Sequence, residues 1–361
     1  MGKFQFWLPT DTSLTRIQRR AVDEPNAIFL SGVPGTGKTV VSIKRLQNAA
    51  AKSNKAIIFT YGKLLRKTIE EKLGNNPKMP IDNIHRWMWA NQSGNKLYFE
   101  DFTKDGNLEN AISKLNSKGI KYDEILVDEG QDLSLNTYKI LKELTPSLSI
   151  SADNAQQINN RDEATNEEEI TELFPALRKF ELDEVFRSAY ELYKFAIQFV
   201  PNNARANDER LLERLKRKNS GADKPFVYIE KDLNSMYDRI RDIIDENPTD
   251  NIGILFERVF QVDECEKRLS KDYDVSKYHN QDVVPSTLNN VIITTFKSAK
   301  GIEFDYVIIP YLSDGALNNS EEYYVGVTRA KNQVHILGIN ELPKIISNFD
   351  KNSYELVNNR G

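Results

Sequence analysis

Residues 32–39, which read GVPGTGKT, constrain the fold of this chain more than any other segment. The apolar run AIFLS at 27–31 precedes them and is typical of a buried parallel strand. Residues 38–51 follow and carry an apolar face at helical spacing. A glycine-rich turn between a strand and a helix is the context of a phosphate-binding loop. We therefore expect an α/β domain with a nucleotide at this turn.

The residues of this loop fit a nucleoside triphosphate. Gly35 and Gly37 let backbone N–H groups turn toward phosphates, and the helix N-terminus adds partial positive charge. Lys38 is expected to reach the β- and γ-phosphates, and Thr39 to coordinate Mg²⁺. The expected ATP-binding positions of the loop are Gly32, Pro34, Gly35, Thr36, Gly37, Lys38 and Thr39.

A second motif, ILVDEGQD at 125–132, ends an apolar strand in two acidic residues. Chemistry in open α/β sheets gathers at the carboxyl ends of the strands. Asp128 is therefore the expected partner of Mg²⁺, and Glu129 the expected base that orients the attacking water. Asp132 fits equally well as the start of a helix, where an acidic residue complements the dipole.

The apolar runs describe two α/β domains. Strands are expected in the first at 27–31, 55–61, 124–127 and 148–152, and in the second at 226–230, 252–256, 291–295, 305–310 and 333–338. We place the first domain at 1–180 and the second at 181–361. Residues 86–120 are polar, aromatic and turn-rich, and we interpret them as a small insertion.

Composition narrows the class of protein. A net charge of −4 leaves no broad basic surface, so any contact with nucleic acid has to be a local groove. The single cysteine, Cys265, excludes an internal disulfide, and three scattered histidines form no zinc cluster. We see no membrane span, signal peptide or myristoylation motif, and expect a soluble, cytoplasmic protein.

The second domain has no phosphate loop, but it has arginines in the segments LDEVFRS at 182–188 and YYVGVTRAK at 323–331. A hydrolysis site at a domain interface needs positive charge on the γ-phosphate from the opposite wall. Arg187 and Arg329 are the candidates for this role.

The motifs resemble, in order, those of superfamily 1 helicases of the UvrD/Rep type. The resemblance runs from residue 14 to about 338 and implies two tandem RecA-like P-loop NTPase domains with the ATP site in the cleft between them. LTRIQRRAV at 14–22 is similar to the segment whose glutamine reads adenine, which corresponds to Gln18. SADNAQQI at 151–158 resembles the segment with a γ-phosphate sensor, Gln156, and a preceding acidic residue, Asp153.

The resemblance also assigns residues of the second domain. VFRS implies that Phe186 stacks on adenine and that Arg187 touches the γ-phosphate. TTFKSAKGIEF at 294–304 places Glu303 near the nucleotide, and YVGVTRAK supplies Arg329 as a second arginine finger. The catalytic set is then Lys38, Glu129, Gln156, Arg187 and Arg329.

Family members step along single-stranded nucleic acid, and three residues are candidates for contact with it: Tyr61, His85 and Lys297. Trp87 and Trp89 fit base stacking less well than packing within the insertion. Lys297 stands where the family has histidine, and the aromatic residue expected after Gln156 is replaced by Asn159-Asn160-Arg161.

We expect an ATP- and Mg²⁺-dependent translocase on single-stranded DNA, with RNA as a possible substrate and 3′-to-5′ stepping implied by the resemblance. Residues 188–293 are too few for the large subdomain that the family inserts there, which puts processive unwinding in doubt. The alternative is an ATP-gated regulatory subunit of a repair or phage-defence complex with a nuclease partner. A small-molecule kinase would share only the phosphate loop.

Overall fold

The structure is a computed structural model that describes residues 2–32, 34–91, 105–152, 165–182, 184, 190–200, 212–213, 215, 223–279, 283–311 and 320–358. The chain divides into two compact units, Trp7–Glu184 and a second unit of Met1–Phe6 with Val185–Gly361. Across the described ranges, no helix combines the length and the apolar character needed to cross a membrane.

Strands and helices alternate through the first unit. Its strands are β1 (Ile28–Ser31), β2 (Ala56–Thr60), β3 (Ile81–Asn83), β4 (Glu124–Asp128), β5 (Leu148–Ala152) and β6 (Arg178–Glu181). Its helices are α1 (Arg16–Asp23), α2 (Lys38–Ala51), α3 (Lys63–Lys72), α4 (Ile84–Asn91), α5 (Asp105–Ser117), α6 (Leu135–Leu144) and α7 (Glu167–Leu173). The strands form one parallel sheet in the order β3-β2-β4-β5-β1-β6.

The interior strands of this sheet are apolar because helices cover them. Ile125, Leu126 and Val127 of β4 are all at most 1% exposed. Such continuous apolar runs are typical of parallel strands buried on both faces. The last residues of β1, β2 and β4 are the polar Ser31, Thr60 and Asp128, so polar groups gather at the carboxyl edge of the sheet.

The second unit is also a parallel α/β sheet, here of seven strands. Its strands are β7 (Phe226–Glu230), β8 (Ile252–Phe256), β9 (Val275–Tyr278), β10 (Val291–Thr295), β11 (Phe304–Pro310), β12 (Ala330–Ile339) and β13 (Glu355–Asn358). Its helices are α8 (Tyr190–Ala196), α9 (Leu233–Glu246), α10 (Val259–Leu269), α11 (Ser320–Val327) and α12 (Lys344–Ser347). The order is β13-β7-β12-β11-β8-β10-β9. The two sheets confirm the α/β fold class, with two RecA-like domains.

The first residues of the chain belong to the second unit, whereas the sequence placed them in the first domain. Phe4 N donates to the carbonyl of Leu288 at 2.9 Å, and its ring meets Phe304 edge-on at 6.0 Å between centroids. Gln5 exchanges two hydrogen bonds with the side chain of Asn251. Backbone pairing and one buried ring thus outweigh proximity in sequence. The division after Glu184 lies four residues beyond the boundary expected at 180.

The segment interpreted as a turn-rich insertion contains helices at both described ends, α4 and α5. Trp87, Met88, Ala111 and Leu115 from these helices lie in the same buried cluster as the strands β2 and β4. The apolar residues at both described ends of 86–120 are therefore part of the core of the first unit.

Candidate nucleotide site and strand-contact residues

The glycine-rich loop lies between β1 and α2, as its sequence predicts. Gly35 and Gly37 adopt the left-handed backbone region, with φ of 81° and 86°. A Cβ on Gly32 would lie 2.7 Å from Thr36 Oγ1 and 2.8 Å from the carbonyl oxygen of Leu182. Glycine is therefore required at this turn by close packing as well as by conformation.

Lys38 is the first residue of α2 and is 7% exposed. Its Nζ donates to the carbonyl oxygen of Gly32 at the start of the loop. The ammonium group therefore spans the loop, at the helix N-terminus where anions are favoured. Pro34 and Thr36 are buried within the same turn. Loop and lysine have the geometry of a phosphate cradle.

Gln18 is placed against this loop by a capping box at the start of α1. Its backbone N donates to Thr15 Oγ1 at 3.1 Å, and its Oε1 accepts from Thr15 N at 2.9 Å. Its Nε2 donates to the carbonyl oxygen of Thr36 at 2.9 Å. The amide is thus held beside the phosphate loop in one orientation, as expected for a residue that reads a base attached to bound phosphates.

Thr39 lies in the first turn of α2 and Asp128 is the last residue of β4, and their side chains are in contact. Thr39 Oγ1 donates to Asp128 Oδ2 at 2.7 Å. Burial and the neighbouring Glu129 carboxylate raise the pKa of Asp128 to about 6, against the opposing effects of the Thr39 hydroxyl and Lys38. A hydroxyl and a carboxylate are ligands that Mg²⁺ prefers, and a buried carboxylate gains from a cation. These two residues fit the metal that the sequence assigns to them.

Glu129 has an unusual backbone, with φ of 58° in the left-handed region. Its Oε2 accepts a hydrogen bond from Nε2 of Gln131 at 2.7 Å, and Gln131 is fully buried. Non-glycine residues with such φ values cluster at functional sites. The fixed carboxylate of Glu129 has the setting expected of a group that orients water. Asp132 lies in the same 3₁₀ turn and donates its backbone N to Glu129 O at 3.1 Å.

Tyr138, which lies outside the predicted motifs, supports this turn. Its buried hydroxyl donates to the carbonyl oxygen of Gly130 at 2.7 Å. A Cβ on Gly130 would lie 2.5 Å from that hydroxyl, so only glycine allows this approach. The sequence signal that could have found it is an aromatic residue in the first turn of α6, the helix that follows the two acidic residues and Gly130.

Tyr61 and His85, two of the residues predicted to contact nucleic acid, lie together at the same edge of the sheet. Thr60, the last residue of β2, pairs with both Asn83 of β3 and Asp128 of β4. Tyr61 follows Thr60, and its ring packs edge-on against His85 at 5.2 Å between centroids. Burial, and secondly Lys63, lower the pKa of His85 to about 4. His85 is therefore neutral near pH 7.

The two tryptophans of α4 have different environments. Trp87 is 6% exposed and packs against Phe59 at 5.1 Å and Tyr122 at 6.4 Å between ring centroids. Packing is therefore its role, as the sequence favoured, although it packs in the core of the first unit. Trp89 is 68% exposed.

In the second unit, the structure brings Glu303 and Arg329 together. Phe304 pairs with Ala330 between β11 and β12, and Phe304 N donates to Arg329 O at 3.0 Å. Arg329 is 1% exposed, and its Nε donates to the carbonyl oxygen of Val325 at 3.1 Å. These two residues precede adjacent strands and lie side by side.

Lys297 lies in the turn after β10, and its side chain is 58% exposed. Its Nζ is 3.4 Å from Oε1 of Glu322 in the first turn of α11. Burial raises the pKa of Glu322 even though Lys297 opposes the shift. A strand phosphate at Lys297 would therefore compete with this carboxylate.

Gln156, Phe186 and Arg187 lie outside the described residues, as does Asp153. Their proposed roles remain predictions from the sequence resemblance.

Comparison with known proteins finds matches in both halves of the chain. Residues 16–160 match the family described as an AAA domain, and residues 290–337 match the UvrD-like helicase C-terminal domain. No curated protein is significantly similar to the chain. The two family matches support a UvrD/Rep-type helicase, a DNA-helicase-type ATPase. They imply nucleotide binding and a nucleic-acid substrate.

Among solved structures, one match is the C-terminal domain of a possible DNA helicase from Lactobacillus plantarum WCFS1. It shares 17% sequence identity over 48% of this chain and 99% of that chain, with a TM-score of 0.38. At that score the likeness has no bearing on the assignment.

Proposed function

We propose that this UvrD/Rep-type chain is an ATP-dependent translocase on single-stranded DNA, moving 3′ to 5′. The observation that carries the proposal is the register of β2 between β3 and β4. Because Thr60 is opposite Asp128, Tyr61 follows at the level where Glu129 follows Asp128. Tyr61, which is expected to contact the DNA strand, thus follows β2 next to the position where Glu129, which is expected to orient water, follows β4. A change at the nucleotide therefore has only a short distance to travel to the bound DNA.

The hydrolysis chemistry is assigned to residues of the first unit. Lys38 and the loop N–H groups bind the β- and γ-phosphates, and Gln18 reads the adenine edge. Thr39 and Asp128 hold Mg²⁺, which supplies positive charge to the triphosphate when bound. Glu129, fixed by Gln131, accepts a proton from the attacking water.

The second unit is proposed to complete the reaction. Arg187 and Arg329 act on the charge that develops at the γ-phosphate, and Phe186 stacks on adenine. Gln156, which belongs to the first unit, senses the γ-phosphate. Arg329 and Glu303 support this role by lying next to each other at the start of adjacent strands. Lys297 contacts a phosphate of the DNA strand once its ammonium group has left the carboxylate of Glu322.

Unwinding is proposed to be weak, because residues 188–293 are too few to form a further subdomain. This segment already contains the strands β7, β8 and β9 and the first residues of β10. Translocation and unwinding are therefore expected to separate in experiments. The chain should move along single strands more readily than it opens a duplex.

Displacement of streptavidin from biotinylated oligonucleotides tests this directly. With ATP, we expect faster release from a 5′-biotin than from a 3′-biotin, and little separation of a partial duplex. Release at equal, ATP-independent rates from both ends contradicts translocation. That result, with ATP turnover intact, would favour the ATP-gated regulatory subunit instead.

A further inference from the structure

The structure assigns a positioning role to Arg45: it fixes helix α1 so that Gln18 discriminates adenine from other bases. This inference rests on the proposed function and deepens its nucleotide specificity. Arg45 lies on α2, in the helix that begins with Lys38, but more than a turn away from the phosphate loop. It acts through α1 and is not a contact of the nucleotide.

Every N–H donor of the Arg45 guanidinium has an acceptor, and the side chain is 4% exposed. Nη1 donates to the carbonyl oxygens of Ala21 at 2.9 Å and Glu24 at 2.7 Å. Nη2 donates to the carbonyl oxygen of Asn26 at 3.1 Å. Three of the donors therefore hold backbone at the end of α1 and just after it. A cation at a helix C-terminus also complements the helix dipole.

The remaining donors bind Glu124, the first residue of β4. Nε and Nη2 lie 2.9 Å and 2.6 Å from its Oε1. The same oxygen accepts from Ser149 Oγ of β5 at 3.0 Å, and Ser149 Oγ accepts from Ile28 N of β1 at 3.2 Å. Arg45 thus joins the end of α1 to the interior strands that carry both nucleotide motifs.

Helix α1 is consequently held at both ends by α2 and the loop before it. At its N-terminus, the amide of Gln18 accepts from Thr15 N and donates to Thr36 O. At its C-terminus, Arg45 binds the carbonyls of Ala21 and Glu24. Eight residues span only about 12 Å, so a tilt at one end moves the other. With the amide unable to flip, Gln18 offers a fixed donor and a fixed acceptor to a base.

Adenine and hypoxanthine differ in the group at position six, an amine in one and a carbonyl in the other. A fixed side-chain amide can form a hydrogen bond with the group at position six of only one of the two bases. With the other base, two donors or two acceptors face each other. If α1 tilts, that discrimination falls while binding of the triphosphate remains. The ratio of ATP to ITP affinity therefore reports the position of α1 separately from the phosphate loop.

The test variant is Arg45→Met with Glu124→Met. Removing both partners avoids leaving one unpaired charge buried, so the variant is expected to fold. The contacts to Ala21, Glu24 and Asn26 are lost. Arg45→Lys is the conservative variant: it keeps the charge, but its three donors cannot replace the five hydrogen bonds of the guanidinium. The matched control is Arg66→Met with Glu70→Met, an Arg–Glu pair on α3 of the same unit.

Displacement of a fluorescent ATP analogue measures the affinities of ATP and ITP on full-length protein. We expect wild type and the Arg66/Glu70 control to prefer ATP by about tenfold, a single matched contact of about 1.4 kcal/mol. The Arg45/Glu124 variant should bind both within about twofold, with unchanged ITP affinity, and Arg45→Lys should be intermediate.

A wild-type ratio in the Arg45/Glu124 variant overturns the inference, and so does a wild-type protein without preference, because there is then no base discrimination to position. DNA-stimulated turnover of the same wild-type preparation is measured in parallel. If that stimulation is absent while the ATP/ITP ratio responds to Arg45, the proposed function fails and the positioning role stands.

Discussion

Thr39 Oγ1 donates a hydrogen bond to Asp128 Oδ2 at 2.7 Å, and this contact joins the phosphate loop to the acidic end of β4. The two residues are far apart in the sequence and come from different strand–helix junctions. Their contact sets the spacing between the lysine end of the site and the acidic end. The Asp128 carboxylate is also buried beside Glu129, which has consequences for stability.

Asp128→Asn should stabilise the protein at high pH and abolish Mg²⁺-dependent turnover. The folded-state pKa of Asp128 is about 6, above the ordinary 3.8, so the folded protein binds this proton more tightly than the unfolded chain. Ionisation therefore lowers the free energy of unfolding between about pH 4 and pH 6, by roughly 2–3 kcal/mol above that window. Thermal unfolding without nucleotide or Mg²⁺ at pH 5 and pH 8 measures it.

The gain in Tm from Asp128→Asn should be larger at pH 8 than at pH 5. The exposed Asp274→Asn is the control and should change Tm little at either pH. An equal gain at both pH values, or a loss at pH 8, contradicts the burial of an ionisable carboxylate here.

Gln131→Ala should lower kcat by about tenfold or more and leave nucleotide affinity unchanged. Gln131 Nε2 lies 2.7 Å from Glu129 Oε2 and fixes the carboxylate that is proposed to act as base. General bases contribute roughly 10²–10⁴-fold to rate, and a misdirected base loses part of this. Steady-state turnover and nucleotide binding separate the two effects. A rise in the dissociation constant with kcat intact would show that Gln131 serves binding instead.

Gly37→Ala should weaken ATP binding through Gln18. A Cβ at Gly37 would lie 2.5 Å from Gln18 Nε2, and the amide would have to leave its contact with Thr36. Gly74→Ala is a matched control, since Gly74 has a φ of 68° with nothing within 4 Å of a Cβ. Both variants carry the strain of an L-residue at positive φ, about 1 kcal/mol.

Isothermal titration with ATP and with inorganic triphosphate compares the Gly37 and Gly74 variants. The Gly37 variant should lose affinity for ATP more than for triphosphate, and the Gly74 variant should lose neither. Equal losses for both ligands would mean that the phosphate loop itself had collapsed.

The salt dependence of DNA binding should distinguish Lys297 from His85. Lys297→Ala removes one cation, so the slope of log affinity against log salt should fall in magnitude by about 0.7. His85→Ala should weaken binding with the slope unchanged, because the pKa of His85 is about 4 and the ring is neutral at pH 7.5. Fluorescence anisotropy with a labelled oligonucleotide at several salt concentrations measures both slopes.

Glu322→Gln provides the counterpart of the Lys297 variant. Its carboxylate is 3.4 Å from Lys297 Nζ, so its neutralisation should strengthen DNA binding by a few-fold. Weaker binding by this variant would show that Glu322 places the lysine for the strand rather than competing with the phosphate.

The sequence predicted the interior strands of both sheets closely, because each is a continuous apolar run that ends in turn residues. It missed β3, β6, β9 and β13, which are short strands at or next to the sheet edges. Three of the four residues of β6 are exposed, so no apolar pattern marks it. Edge strands are defined by backbone pairing, which leaves little trace in side-chain type.

The site shows the same division. Lys38, Thr39, Asp128 and Glu129 lie on two motifs, and the spacing within these motifs makes them candidates from the sequence alone. Arg45 and Tyr138 lie outside these motifs, and they act on carbonyl oxygens that any residue carries.

One retrospective signal did exist for Arg45. It follows Val41 and Ser42 at helical spacing, on a face of α2 that is otherwise buried. A basic residue on a buried stripe has to find several acceptors. The placement of residues 2–6 on the second unit had no such signal, because it depends on pairing with Leu288 and Asn290, distant in the chain.

The central claim is that ATP hydrolysis is coupled to a nucleic-acid strand, and the most direct measurement is ATP turnover with and without single-stranded DNA. We predict at least several-fold stimulation of the wild type, loss of turnover in Lys38→Ala, and normal stimulation in the exposed control Lys271→Ala. Turnover that is unchanged by single-stranded DNA and by single-stranded RNA would contradict the claim.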